Sequence, residues 1–142
     1  QQGTWTQLRL FEAQEGSVWE AAMFAAHRGL SGLTVILDRN RIGNDGPIDA
    51  LSTLEPLVDK WRAFGWRVTE IDGHDQDEIE RALPPARDEP PSPGSPRCVI
   101  AHTVKGYGLV DEIAGTGAAH YLKGHPGELE ASFISSWEAR HG

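Results

Sequence analysis

Hydrophobic and polar positions between residues 11 and 47 predict a helix, a buried strand and a polar loop, in that order. The letters SVWE at residues 17–20 form a capping box, in which the Ser17 hydroxyl caps the start of the helix. Good helix formers follow, and Gly29 ends the helix. The apolar run LTVIL at residues 33–37 is short enough for a buried parallel strand.

Polar residues begin directly after this apolar run, with DRNRIGNDGP at residues 38–47. In open α/β sheets, ligands bind beyond the carboxyl ends of the strands. We therefore expect the functional site in the loop that follows residue 37.

The rest of the chain continues to alternate between helix-like and strand-like patterns. A second capping box, STLE at residues 52–55, is followed by Pro56 in the first turn, and Gly65 ends this helix. Its core face repeats at helical spacing through Leu54, Leu57, Trp61 and Phe64. The other predicted elements are a strand at 4–11, a strand at 66–71, a turn containing Gly73 and His74, a helix from Asp75 to about Leu83, a strand at 97–101 and a helix at 128–140.

These elements predict an α/β fold in which a parallel sheet has helices on both faces. At 142 residues, the chain is predicted to form one domain that spans residues 1–142. Residues 84–96 hold six of the nine prolines, and this composition predicts an exposed, extended loop.

Composition narrows the class of protein. The hydrophobic fraction of 39% and the charged fraction of 24% are ordinary for a globular protein. The net charge of −8 argues against nucleic acid or an anionic membrane as partner, because both require a basic surface. Cys98 is the one cysteine, and no apolar run approaches the roughly 18 residues of a spanning helix. We therefore expect a cytoplasmic protein with neither a membrane nor a nucleic-acid partner.

Four blocks of the sequence resemble a known family. They are EG-x-x-WEAAMFAAH, DRN-x-I-x-x-DGP, LEPL-x-DKWRAFGW-x-V-x-E-x-DGHD and TVKGYG. In order, spacing and content they are similar to the diphosphate-binding domain of thiamine diphosphate enzymes, transketolases in particular, over roughly residues 12–110. The resemblance implies a partial thiamine diphosphate-binding fold, with thiamine diphosphate and Mg²⁺ as cofactors.

The resemblance also implies a metal site. By analogy with the family, the side-chain oxygen of Asn40 and the backbone carbonyl of Ile42 bind Mg²⁺ and, with it, the cofactor. The family places a metal-binding Asp at the position of Leu10, 30 residues before Asn40. One carboxylate ligand is therefore expected to be missing from this chain.

Four further positions receive roles from the resemblance. Glu15 matches a carboxylate at a subunit interface near the cofactor, which implies a catalytic role, and the adjacent Gly16 is expected to bind the cofactor. His120 matches a histidine that follows KGYG in the homodimeric type of pyruvate dehydrogenase, which also implies a catalytic role. His125 is the nearest candidate for a cofactor-binding transketolase histidine. Taken alone, Glu15 is explained by the helix dipole and both histidines by exposure in a loop.

The implied function is that of the diphosphate-binding subunit of a split transketolase-like enzyme. Such an enzyme transfers a two-carbon ketol unit from a ketose phosphate or 2-oxo acid to an acceptor. The resemblance covers part of the family's first domain, so we expect an N-terminally incomplete domain that acts with a pyrimidine-binding subunit in a heterotetramer. Two alternatives stay open: a non-catalytic, partner-binding relic that lacks the metal-binding Asp, and a natural N-terminus that differs from residues 1–11.

Overall fold

The computed structural model describes residues 4–43, 46–83, 94–108, 114–116, 130–131, 134–135 and 137–139. Its strands are β1 (Thr4–Arg9), β2 (Leu33–Arg39), β3 (Ile42–Gly43), β4 (Gly46–Pro47), β5 (Arg67–Asp72) and β6 (Arg97–His102). Its helices are α1 (Gly16–His27), α2 (Ile48–Leu51), α3 (Leu57–Ala63) and α4 (Gln76–Ala82), with a 3₁₀ turn at Glu12–Gln14. The described residues between 130 and 139 are helical, as predicted, whereas residues 84–93 of the proline-rich segment lie outside the described ranges. Within these ranges, no helix has the length and apolar character needed to cross a membrane.

Four strands form one parallel sheet in the order β1-β2-β6-β5. Successive residues of β6 point to opposite faces of this sheet. Cys98 and Ile100 pack on one face, in a core that includes residues of α1 and α3. Val99 and Ala101 pack on the other face, where Ile79 of α4 covers them. The predicted parallel sheet with helices on both faces is therefore confirmed.

An aromatic group joins α1, α3 and the start of β5. Trp61 is 1% exposed, and its ring centroid lies 5.5 Å from that of Trp19 and 4.8 Å from that of Trp66. Trp66 Nε1 donates a hydrogen bond of 2.9 Å to the carbonyl oxygen of Ala22. Burial of these rings gives α1 and α3 their apolar contact with the sheet, as the helical spacing of Trp61 predicted.

Three predicted helix boundaries are confirmed by backbone geometry. Gly29 and Gly65 have φ of +60° and +90°, the left-handed conformation that ends a helix at low steric cost. The Asp75 carboxylate caps α4 by accepting a hydrogen bond of 3.0 Å from the backbone N–H of Glu78.

Both predicted capping boxes are wrong. Helix α1 begins at Gly16, one residue before Ser17, because Glu15 is extended (φ −78°, ψ 129°) and serves as N-cap without a side-chain hydrogen bond. Helix α3 begins at Leu57 rather than near residue 52. Pro56 restricts the backbone of Glu55, so the helix forms only after the proline. The Glu55 carboxylate then accepts the backbone N–H of Leu57 at 3.1 Å.

Cys98 is fully buried in the sheet, and burial raises the pKa of its thiol to about 12. Because the thiolate is the reactive form, we expect Cys98 to resist a thiol reagent such as Ellman's reagent at pH 8 in the folded protein. Labelling should become rapid when urea unfolds the chain. Rapid labelling of the native protein at pH 8 would contradict this placement of Cys98.

Candidate functional site

A cleft opens where β1 and β2 end. The two strands are parallel with Arg9 opposite Asp38, so the chain leaves both at the same edge of the sheet. This strand-end cleft has a volume of about 300 Å³ and is lined by Arg9, Phe11, Glu12, Glu15, Asn40, Ile42, Gly43 and Lys105. It brings together three residues that the sequence proposed for the site, namely Glu15, Asn40 and Ile42.

Hydrogen bonds fix the orientation of the Asn40 side chain. Its Oδ1 accepts the backbone N–H of Ile42 at 3.0 Å, and its Nδ2 donates to Asp38 Oδ2 at 2.9 Å. The other Asp38 oxygen accepts a hydrogen bond from the Thr103 hydroxyl. An amide oxygen has two acceptor positions, so Asn40 Oδ1 keeps capacity for a further ligand. The Asn40 amide is thus held in one orientation within the cleft.

The position of Leu10 at the end of β1 carries no metal-binding group. Its backbone N–H donates to the carbonyl oxygen of Asp38 at 2.9 Å, so residue 10 lies beside the end of β2. The Leu10 side chain is 4% exposed and belongs to the core shared with α1 and α3.

The donor set of the cleft therefore fits Mg²⁺ in part. Asn40 Oδ1 and the Ile42 carbonyl are oxygen ligands of the kind this ion prefers. Among the residues that the structure describes, no three acidic, histidine or cysteine side chains come together as a metal site. Diphosphate oxygens and water could supply further ligands for the ion.

A charged pair forms one wall of the strand-end cleft. The Arg9 guanidinium donates to Glu12 Oε1 from Nη2 at 2.8 Å and from Nε at 3.2 Å, and the Arg9 backbone N–H donates to Glu12 Oε2 at 2.9 Å. The backbone hydrogen bond, followed by the side-chain hydrogen bond, holds the pKa of Glu12 below its usual value. These hydrogen bonds to Glu12 fix the Arg9 guanidinium beside the cleft.

Lys105 brings a second positive charge to the cleft. Burial lowers the pKa of its ammonium, the Arg9 charge lowers the pKa further, and Asp38 opposes the shift. An anion that binds beside Lys105 would favour the charged form of its ammonium. Lys105 is therefore placed to meet an anionic group in the cleft, whereas the Arg9 charge is already paired with Glu12.

The two arginines beside Asn40 are not lining residues of the cleft. The Arg39 side chain is 11% exposed and pairs with Glu55 and, at 3.8 Å, with Glu70. Arg41 has φ of +62°, an uncommon conformation for a residue other than glycine. Such a conformation is typical of functional loops, and here it turns the chain between Asn40 and Ile42.

Helix α1 begins at the mouth of the cleft. Glu15, its N-cap, is exposed and lines the cleft, and Gly16 is its first residue. A side chain added at Gly16 would meet open space, so steric packing does not explain a glycine here. The N–H groups at the start of a helix favour a bound anion. The other two predicted site residues, His120 and His125, lie outside the described ranges.

The family model for "transketolase, thiamine diphosphate binding domain" matches residues 11–131. The chain belongs to the transketolase family. Its relatives include the 6-deoxy-6-sulfo-D-fructose transketolase subunit of Clostridium sp. (strain MSTE9), 44% identical over 112 residues. They also include an apulose-4-phosphate transketolase subunit of Phocaeicola vulgatus, 38% identical over 98 residues.

Solved transketolase structures share the fold. Transketolase from Leishmania mexicana superposes with a TM-score of 0.79 at 28% identity, covering 96% of this chain and 20% of that one. The Campylobacter jejuni enzyme gives a TM-score of 0.74 at 27% identity, covering 84% and 18%. The two alignments with the curated transketolase subunits include 79% and 69% of this chain. They span only 39% and 34% of the length of those relatives.

Family membership confirms the resemblance read from the four sequence blocks, and with it a thiamine diphosphate-binding domain. The roles of individual residues remain predictions. In this transketolase domain, the largest departures from the expected pattern are Arg9 and Leu10. The first adds a charge to the cleft, and the second places a buried apolar side chain at the end of β1.

Proposed function

We propose that this chain is the diphosphate-binding subunit of a split transketolase-like transferase that moves a two-carbon ketol unit. The observation that carries the proposal is the strand-end cleft, in which the fixed Asn40 amide, two cations and the start of α1 converge. These groups suit a diphosphate. The matched relatives are named as transketolase subunits, which supports a split enzyme and does not favour a non-catalytic relic.

Thiamine diphosphate is proposed as the cofactor that supplies the carbon nucleophile for breaking and forming bonds beside a carbonyl group. This chain would bind and orient its diphosphate. Asn40 Oδ1 and the Ile42 carbonyl would hold a Mg²⁺ ion that arrives with the diphosphate. Lys105 and Arg9 are the positively charged residues that line this site. The shortage of protein ligands implies a weaker metal site than one with a carboxylate at residue 10.

The remaining site predictions concern Gly16, Glu15 and two histidines. Gly16 would allow the diphosphate to approach the backbone N–H groups at the start of α1. Glu15 is exposed at the same edge and would face the partner subunit, close to its cofactor. His120 would act as a proton-transfer group and His125 as a ligand of the diphosphate.

A pyrimidine-binding subunit is the proposed partner, in a heterotetramer that is cytoplasmic. The donor would be a sugar phosphate or a 2-oxo acid. The reactive ring of the cofactor needs a second binding surface beyond the diphosphate site. Both relatives are named as subunits, which supports a separate polypeptide as the source of that surface.

Reconstitution tests this proposal. The chain is coexpressed with a candidate pyrimidine-binding subunit, and ketol transfer from a panel of ketose phosphates and 2-oxo acids to aldehydes is measured by product analysis. We expect turnover that requires thiamine diphosphate together with both polypeptides. A stable complex that binds the cofactor but transfers no ketol unit from any donor would contradict the proposed reaction.

A further inference from the structure

The loop between β5 and α4 contacts the loop that follows β6. In the sheet, Asp72 lies opposite His102, so both loops start at the same edge. The Gly73 N–H donates to the His102 carbonyl at 2.8 Å, and a side chain at Gly73 would come within 3.1 Å of that oxygen. The His74 N–H donates to Asp72 Oδ1 at 2.8 Å, which fixes the His74 backbone. The two loops are therefore closely packed.

The His74 ring makes two contacts with the loop after β6. Its Nε2 accepts the backbone N–H of Val104 at 2.8 Å. Its face stacks on Tyr107, with ring centroids 3.7 Å apart and an interplanar angle of 14°. Because Nε2 accepts this bond, the neutral ring carries its proton on Nδ1. One side chain thus holds two points of the loop.

The two points held by His74 enclose Lys105. The Tyr107 N–H donates to the Val104 carbonyl at 3.0 Å, so residues 104–107 form a single turn. Gly106 and Gly108 have φ of +74° and +88°, a conformation that glycine adopts without strain but does not enforce. Contacts from outside the turn are therefore needed to fix its position. Lys105, in the middle of the turn, reaches the strand-end cleft.

We propose that His74 is a positioning residue for the cofactor site. It fixes the turn that contains Lys105, so that the Lys105 ammonium can contact the diphosphate. This inference rests on the proposed function, because it gives Lys105 the diphosphate as ligand. His74 itself is not among the residues that line the cleft. Its effect passes through the backbone of Val104 and the ring of Tyr107.

Substitutions at His74 separate its two contacts. His74→Phe keeps a ring for stacking on Tyr107 but removes the acceptor, and His74→Gln keeps an acceptor but removes the ring. His27→Gln is the matched control, because His27 is exposed at the end of α1. Calorimetric titration of thiamine diphosphate with Mg²⁺ into the chain and its partner subunit gives the Kd of each variant.

We expect His74→Phe to weaken binding about tenfold, since it leaves the Val104 N–H unpaired and the turn loose. His74→Gln should bind within about threefold of the wild type, and His27→Gln should bind like it. The decisive arm is Lys105→Met. In that background, His74→Phe should have no further effect on Kd, because a positioning residue acts through the group that it positions.

Two results would overturn the inference: wild-type affinity in His74→Phe, or an equal loss in the presence and absence of Lys105. Failure of the proposed function looks different, because the wild-type complex would then show no binding. In that case, amide hydrogen exchange of the cofactor-free complex tests whether His74 fixes the turn at residues 104–107. Faster exchange at residues 104–107 in His74→Phe supports its hold on the turn, and unchanged exchange refutes it.

Discussion

Asn40→Ala should weaken thiamine diphosphate binding by about a hundredfold, the loss expected when a ligand or a neighbour that orients it is removed from a metal site. Asn40 combines two roles that alanine cannot supply. Its Oδ1 holds the Ile42 N–H and would contact the metal, and its Nδ2 fixes the Asp38 carboxylate. Calorimetric titration of the complex with its partner subunit measures the loss.

Folding should change little in this variant. Asn40 is half-buried at the end of β2, so the loss of each of its two hydrogen bonds costs about 1 kcal/mol. Gln14→Ala is a matched control, since the Gln14 amide donates at 2.9 Å to the Ser52 carbonyl and is not a lining residue of the cleft. Equal losses of affinity in the two variants would show that Asn40 has no special role.

Leu10→Asp should lower the free energy of unfolding by at least about 3 kcal/mol in the absence of metal. Leu10 is 4% exposed in the core, so the substitution removes buried apolar surface and introduces a carboxylate without a partner. The same carboxylate would lie beside the end of β2, where it completes the proposed metal site. Saturating Mg²⁺ with thiamine diphosphate should therefore restore more stability to this variant than to the wild type.

Leu10→Ala separates packing from ligation. It also leaves a cavity in the core and should be destabilised by about 2–5 kcal/mol, but it gains no ligand. Urea unfolding with and without Mg²⁺ and cofactor measures both variants. An identical metal response in Leu10→Asp and Leu10→Ala would mean that residue 10 has no access to the metal site in this chain.

Local sequence signals predicted much of the fold because they act within a few residues. The apolar run at 33–37 marks the centre of β2, and Gly29 and Gly65 end their helices through their own backbone conformations. The two capping boxes failed for a similar reason. A Ser-x-x-Glu pattern does not encode the extended backbone of Glu15 or the restriction that Pro56 imposes on its neighbour.

The site was predictable to the extent that strand ends determine it. Asn40 and Ile42 follow β2 directly, and Glu15 begins α1, so sequence order and parallel pairing bring them to one cleft. The contributions of Arg9 and Lys105 depend on the pairing of β1 with β2 and of β2 with β6, which no local pattern encodes. The sequence identifies His74 only as a turn residue, because a contact with Val104, 30 positions away, leaves no local signal.

Calorimetric titration of thiamine diphosphate with Mg²⁺ into the chain, copurified with its pyrimidine-binding partner, tests the central claim most directly. We predict saturable binding that the Asn40→Ala variant loses. Such a result would show that the strand-end cleft holds the diphosphate even though Leu10 replaces an aspartate. No binding, with the partner demonstrably present in the complex, would contradict the assignment of this chain as the diphosphate-binding subunit of an active enzyme.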